Sequence, residues 1–347
     1  MVAAECYFLD VGQGTCGVLY LGGGRAVIID GGPVTGIPSS LLWDLGVRTI
    51  EALIVSHNDR DHLDGALAIL SDYRDAVRAV FFLVDRDPLN MRIIDLLNII
   101  NHSRTRRNLR EIRIFRLERS REPLVVFEDQ RLDLSLDLLY PDYVANIRAH
   151  RASKPNATSG VLRLSCGQRT VIFAGDSPVT AWTWIHGNMG TVRCDLLAVP
   201  HHGGVVWKGR SAGRIRKELE WLYSEAIRCR FAIISTGTSN AEGHPRAESI
   251  RAIRNATDET GVRPGILCTQ LTKRCCSDPK QFSPGVIPPH RSSLSVADLV
   301  SGRSVACAGT VIVEIGPEEI EIHRLGAHQE KVDELSRREG GHPLCRP

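Results

Sequence analysis

The segment that most constrains this chain is an apolar run, Ala52-Leu53-Ile54-Val55-Ser56, that stops abruptly in His57-Asn58-Asp59-Arg60-Asp61-His62 and continues as Leu63-Asp64-Gly65. Imidazoles and carboxylates bind divalent cations, and neither is readily buried without a partner. Packing alone therefore gives no reason to crowd them at the end of an apolar strand. A strand feeding a tight loop aims His57 and Asp59 to one side and Asp61 and His62 to another, a geometry that suits two adjacent ions better than one.

Three further apolar runs end in polar residues of the same kind. Phe173-Ala174-Gly175-Asp176-Ser177 follows Val171-Ile172 and sets a carboxylate beside glycine, and one Asp can bridge two cations through its two oxygens. Leu197-Ala198-Val199-Pro200-His201-His202-Gly203-Gly204 delivers two adjacent imidazoles. Ser235-Thr236-Gly237-Thr238-Ser239-Asn240, followed by Gly243-His244-Pro245, presents a polar cluster after a fourth strand. Sheets build sites at strand carboxyl ends, so the four runs are expected to share one face.

At 347 residues the chain can bury a full core as one large domain or two small ones. Its 43% hydrophobic and 24% charged content is ordinary for a globular protein. A net charge of +3 does not by itself imply a nucleic-acid partner, and no run approaches the roughly 20 apolar residues of a membrane helix. The sequence enters a strand-like segment at residues 6–11 with no room for a signal peptide, so a cytoplasmic location is expected. There, the ten cysteines are expected as reduced thiols or metal ligands rather than a disulfide framework.

Patterning predicts strands at 5–11 and 25–30 joined through the Gly22-Gly23-Gly24 turn, a helix at 39–45 closed by Gly46, and a strand at 51–56. A helix is expected from 65–70 and another at 89–100, with a strand at 80–84. Strands follow at 113–117, 132–139, 160–165, 170–174, 196–199 and 231–235, with helices at 215–227 and 246–257 and a last hairpin of 309–315 and 319–323. Mixed strands and helices indicate a layered α/β protein. One domain is expected over 1–324, with 273–305 an inserted Pro/Ser/Gly-rich loop and 325–347 a polar, frayed tail.

In matching order, His57-x-Asp59-x-Asp61-His62, Gly175-Asp176 and His201-His202-Gly203 resemble the metallo-β-lactamase superfamily. Leu9-Asp10-Val11-Gly12-Gln13-Gly14, Ile29-Asp30-Gly31-Gly32, Asn58, Asn156-x-x-Ser159-x-Val161-Leu162 and Asn240 with Gly243-His244-Pro245 narrow the likeness. They resemble the hydrolase domain of the DNA-uptake competence protein ComEC and its soluble relatives. The resemblance covers most of 5–272 and implies a four-layer αββα sandwich with two metals in the cleft between the sheets. It implies His57 and Asp59 on the first metal, Asp61 and His62 on the second, and Asp176 bridging. One of His201 and His202, His202 by preference, completes the second site and leaves the other to face substrate.

The superfamily usually adds a further His to the first site, on a strand between the two Asp-containing motifs. Here that place holds Asn156-Ala157-Thr158-Ser159, with His150 and His186 the nearest alternatives. An oxygen-richer site favours Mn2+ or Mg2+ relative to Zn2+, which still fits. The implied function is a metal-dependent hydrolase of phosphodiester bonds, a nuclease on DNA, working through a hydroxide activated between two cations. In that scheme Asp61 also orients the nucleophile. His244, or the free member of the 201/202 pair, protonates the leaving oxygen or binds phosphate, and Gln13, Asn156, Ser159 and Asn240 meet substrate. Lacking a transmembrane channel, such a chain acts alone or with separately encoded partners. The alternatives are a hydrolase of a small phosphodiester or ester, and a non-catalytic nucleic-acid-binding or assembly protein with a poorly filled site.

Two other features bear on partners and cofactors. Arg104, Arg106, Arg107, Arg110, Arg113, Arg116, Arg119 and Arg121 are opposed only by Glu111 and Glu118. Such density either tracks a phosphate backbone or marks a solvated connection. Cys268, Cys275 and Cys276 precede the insertion and Cys307 follows it, a spacing open to a structural zinc clamp or to ordinary reduced thiols. Cys6, Cys16, Cys166, Cys194 and Cys229 fall in strand-like segments and are expected in the core.

Overall fold

The computed structural model describes residues 2–33, 36–83, 91–105, 112–120, 122–152, 155–204, 211–257, 261–279, 304–338 and 340–346. Strands β1 (Ala4–Phe8), β2 (Gly17–Tyr20), β3 (Arg25–Ile29), β4 (Thr49–Ile54), β5 (Ala79–Phe82) and β6 (Arg113–Arg116) make one sheet with two late strands, β14 (Val311–Ile315) and β15 (Ile320–Ile322). Its order is β15-β14-β1-β2-β3-β4-β5-β6. The second sheet holds β7 (Leu124–Asp129), β8 (Leu134–Tyr140), β9 (Val161–Cys166), β10 (Arg169–Phe173), β11 (Val192–Ala198), β12 (Ile227–Ile234) and β13 (Gly265–Cys268). It runs β13-β12-β11-β10-β9-β8-β7. The helices are α1 (Ile37–Asp44), α2 (Arg60–Asp72), α3 (Met91–Thr105), α4 (Tyr143–Ala152), α5 (Val179–Met189), α6 (Ala212–Trp221), α7 (Ala247–Asn255) and α8 (Leu325–Arg337).

The central strands are apolar on both faces because each sheet is covered twice. In β4, Ala52 and Ile54 enter the core between the sheets, while Leu53 faces the outer cluster with Leu41, Leu63 and Leu96 of α1, α2 and α3. The inter-sheet core joins Phe8, Val27 and Ile54 to Leu138, Leu162, Val171 and Phe173. Phe8 and Phe173 stack there with ring centroids 5.4 Å apart. Beyond the second sheet, Trp182 and Ile185 of α5, Leu219 of α6, Ile253 of α7 and Leu335 of α8 form the other outer cluster. The layers are therefore helix, sheet, sheet, helix, the expected αββα sandwich.

β3, β4 and β5 are parallel, as are β10, β11, β12 and β13. Asp30, His57, Asp176, His201, His202 and Thr236 thus all follow carboxyl ends of strands. The helix expected from residue 65 begins at Arg60 instead, which puts Asp61 and His62 in the first turn of α2. The first turn is pinned by two glycines. Gly31 N–H donates to His62 O and Gly65 N–H to Gly32 O, each at 2.8 Å. A Cβ on Gly31 would lie 1.9 Å from Ala66 N, and one on Gly65 1.9 Å from Gly31 O, so only glycine admits this approach.

Some expectations give way. Residues 325–347 are not a frayed tail: α8 buries His328, Val332 and Leu335, and Cys345 is buried beyond it. Those side chains recur at helical spacing within a polar sequence, enough to dock one face. Of the proposed insertion, 280–303 lies outside the described residues, while Cys275, Cys276 and Val305 at its flanks are core. Of the arginine stretch, Arg106, Arg107, Arg110 and Arg121 also lie outside them. Arg113 and Arg116 stand on the exposed edge strand β6, where charge discourages edge-to-edge pairing. Arg119 is not a surface residue: it donates to Leu139 O at 3.2 Å beneath the Trp184 ring. Phe115 stacks on Phe81 at 4.7 Å. Cys6, Cys16, Cys166 and Cys194 are buried, and Cys229 is half-buried.

Candidate metal centre

Asp30 organises the site from the end of β3. Its Oδ1 accepts Ser56 N–H at 2.7 Å, and its Oδ2 accepts the Ser56 hydroxyl at 2.7 Å and His62 Nδ1–H at 2.8 Å. His57 Nδ1 lies 3.1 Å from the Ser56 hydroxyl, and His202 Nδ1–H donates to Ser235 O at 3.0 Å. With Nδ1 engaged in all three rings, the Nε2 lone pairs are left to face the cleft.

They converge on Asp176. His62 Nε2 is 3.2 Å and His202 Nε2 3.7 Å from its Oδ1, and His57 Nε2 is 3.6 Å from Oδ2. His57 Nε2, His62 Nε2, His202 Nε2 and Asp176 Oδ1 are all buried without a hydrogen-bond partner among the described residues. Buried polar atoms left unpaired are costly. Four of them aimed at one another fit a cation pair, and lone pairs on nitrogen and carboxylate oxygen are the right donors. Two ligand groups result, His57–His62–Asp176 and Asp61–His62–His202, each with donor atoms within 4.8 Å of one another. Asp59 is the N-cap residue of α2, but its side chain makes no capping bond and lies 3.5 Å from His57 Nε2. Asp61 Oδ2 is 3.3 Å from His202 Nε2.

The structure separates the two adjacent histidines. His202 joins Asp61 and His62, whereas His201 Nδ1–H donates to Asp176 Oδ2 at 2.6 Å with its ring at the mouth, 20% exposed. Both occupy left-handed backbone, with φ of 51° and 54°. That conformation turns consecutive side chains in different directions at the end of β11.

Burial opposes charge throughout the cluster, and its neighbours win. Asp176 is held well below the ordinary carboxylate range by His62, His202 and His57 and by the bond from His201. Asp30 and Asp176 raise His62 well above an ordinary imidazole against its burial. Burial would raise Asp61, but His202, whose Nε2 lies 3.3 Å away, and the His62 charge bring it down to about 2. His244 moves the other way, to about 4, through burial and the charges of His201, His202 and Arg246. It is therefore uncharged near neutral pH. Its ring lies 5.1 Å from that of His201.

The residues expected to meet substrate are mostly braces. Ser159 is fully buried: its hydroxyl accepts Asp176 N–H at 2.8 Å and lies 3.3 Å from His57 Nδ1. Asn156 Nδ2 is 3.3 Å from His201 Nδ1. Asn240 closes its own loop, donating to Gly237 O at 2.7 Å and His244 O at 2.9 Å and accepting His244 N–H at 2.7 Å. Gln13 Oε1 accepts Gly237 N–H at 3.4 Å. His186 of α5 packs against Trp221 of α6, outside the ligand groups, and the side chain of His150 lies outside the described residues. Asp30 and Ser56 had no assigned role in the sequence. The only signal was Asp30 ending an apolar strand before two glycines.

Cys268, Cys275, Cys276 and Cys307, open in the sequence to a zinc clamp or to ordinary reduced thiols, are all buried. Of those four cysteines only Cys307 is in the ligand group found there, with His328 and Cys345; Cys268 acts on the ionisation of Cys345, and Cys275 and Cys276 are outside the group. The sequence reading missed Cys345 and His328 because both lie in the supposed tail.

The family profile described as Metallo-beta-lactamase superfamily matches residues 9–80, which include Asp30, His57, Asp59, Asp61 and His62. No curated protein matches the chain by sequence. Among solved structures it is similar to the metallo-beta-lactamase fold protein YhfI from Bacillus subtilis. The identity is 13% over 72% of this chain and 93% of that one, with a TM-score of 0.43. It is also similar to the short form of human tRNase Z, at 12% identity over 67% and 92% and a TM-score of 0.40. A diphosphatase of the PhnP family matches at 12% over 76% and 94%, with a TM-score of 0.38.

Proposed function

We propose that this chain of the metallo-beta-lactamase fold is a dinuclear metallohydrolase that cleaves phosphodiester bonds, with DNA as its substrate. The carrying observation is the set of buried, unpartnered donors on His57, His62, His202 and Asp176 that face one cleft. In this reading His57, Asp59 and Asp176 hold one ion, and Asp61, His62, His202 and Asp176 hold the other. With Asn156-Ala157-Thr158-Ser159 where a further His is usual, this first site is oxygen-richer and favours harder ions, Mn2+ or Mg2+ before Zn2+.

Bound cations supply Lewis acidity and a water acidic enough to ionise near neutral pH. The chain supplies positioning and proton control. Asp30 and Ser56 fix the rings of His62 and His57, so donor geometry is set before substrate arrives. Asp61 is ionised at any physiological pH and one third exposed, and would orient a water by accepting its hydrogen bond. His201, its imidazole raised by Asp176 against burial, brings a proton to the mouth where a leaving oxygen departs. His244, uncharged, contributes a ring N–H to a phosphate oxygen rather than a cation.

A phosphodiester is supported by positive charge around His244 and its loop. Arg246 acts on His244, and the Arg274 guanidinium ends 3.7 Å from the position of a Gly243 Cβ. DNA is supported by the resemblance of Leu9–Gly14 and Ile29–Gly32 to the ComEC branch.

The test compares linear single-stranded DNA with a small chromogenic phosphodiester, each with Mn2+, Mg2+ or Zn2+. DNA cleavage supported best by Mn2+ is expected, falling at least about 100-fold in Asp176→Ala, since even outer hydrogen-bonding partners of metal ligands are worth 10–100-fold. Turnover of the small diester alone overturns the DNA assignment. Undiminished cleavage by Asp176→Ala overturns the bridge.

A further inference from the structure

We propose that Cys307, His328 and Cys345, completed by Cys268, form a structural zinc site that fastens the C-terminal helix to the second sheet. Cys307 Sγ lies 3.5 Å from His328 Nε2, and the donors of Cys307, His328 and Cys345 are all within 4.8 Å of one another. Tetrahedral zinc with Zn–S of about 2.3 Å and Zn–N of about 2.0 Å spaces its donors about 3.5–3.8 Å apart. The fourth thiol, Cys268, lies beside Cys345, and each acts on the ionisation of the other. All four residues are at most 5% exposed, and all four belong to separate segments: the end of β13, the approach to β14, α8 and the chain beyond α8.

These segments need a fastening. A 13-residue helix is marginal by itself, and α8 buries only Val332 and Leu335 beside His328. Backbone hydrogen bonds already bring the thiols together: Ala308 N–H donates to Cys268 O and Cys307 N–H to Thr269 O, each at 2.9 Å. No disulfide joins the cysteines. On zinc uptake the three thiols release their protons to solvent, and the resulting thiolates with a neutral imidazole leave a net charge of −1. Lys331, whose charge acts on Cys307, offsets it.

The site also reaches the cleft. Two residues past Cys268, Gln270 donates to Asp10 Oδ1 and accepts Thr238 N–H, both at 2.8 Å. Val305 N–H donates to Thr238 Oγ1 at 2.9 Å. The zinc therefore sits behind the loop that carries His244. It stands independently of the hydrolase reading.

The proposed hydrolase centre contains no thiol, so thiolate-to-cobalt charge-transfer absorption reports this site alone. Reduced wild-type protein given Co2+ is expected to show that band at one equivalent, and the zinc-loaded protein to carry one more zinc than Cys345→Ser by native mass spectrometry. The band is expected to vanish in Cys307→Ser and Cys345→Ser, weaken in Cys268→Ser and His328→Ala, and persist in Cys229→Ser and Asp176→Ala. The wild-type measurement decides the matter even if a variant fails to fold. Absence of the band from reduced wild type, its survival in Cys307→Ser, or a zinc-free chain two hydrogens light would each overturn the site.

Discussion

Asp30 and Asp176 reach the same imidazole from opposite sides, and the chemistry of the cleft follows from that pair. Asp30 sits at φ 59°, a backbone conformation asparagine also accepts. Asp30→Asn therefore removes the charge without straining the turn, and is expected to lower metal affinity about 10–100-fold by calorimetry with the fold intact. His202→Ala is expected to lose a metal equivalent by elemental analysis, while His201→Ala keeps both ions and loses turnover.

Proton linkage belongs to this scale too. In the metal-free chain the raised His62 imidazole contributes stability that is complete below its unfolded value of about 6.5, and is lost as pH rises through the higher folded value. Asp61 works oppositely: its contribution is present above about 3.9 and lost as pH falls through about 2. Denaturant midpoints of the metal-free protein should thus be lower at pH 9 than at pH 6. Metal uptake must displace the His62 proton, so titrations near neutral pH in buffers of different ionisation heat should show proton release. His57, His62, Asp176 and His202, whose buried atoms face one another, stood out in the sequence because His and Asp at the ends of apolar strands are hard to explain by packing. Asp30 did not, since its partner lies 32 positions away and the two meet only in the folded chain.

Among the elements, α2 matters most because its first turn carries two of the proposed ligands. Gly65→Ala forces a methyl to within 1.9 Å of Gly31 O, and is expected to cost about 3 kcal/mol or more in chemical denaturation. Most strands were readable as apolar runs bounded by glycine and polar residues. β2 was missed because it is four residues between glycine-rich turns, and β7 because its pattern of exposed and buried positions is irregular across a bulge. α8 was misread as a tail since its polar residues outnumber the two apolar ones that dock it. There a buried histidine and two distant cysteines, not hydrophobic periodicity, were the signal.

For the whole molecule, the separation of the two sheets sets the cleft, and the stacked rings of Phe8 and Phe173 help set the separation. Phe173→Ala is expected to destabilise the protein by about 3–5 kcal/mol in equilibrium unfolding. The layered α/β class was evident from alternating strands and helices, and the two-sheet sandwich from the resemblance. The strand order was not, because pairing between residues hundreds of positions apart leaves no local trace. That order has a consequence for synthesis. β1 lies between β2 and β14, with Ala4 opposite Ile315. A nascent polypeptide therefore leaves the ribosome with one flank of its first hairpin bare until translation passes Ile315. Truncated products expose that apolar border to self-association, and a chaperone has most to shield there.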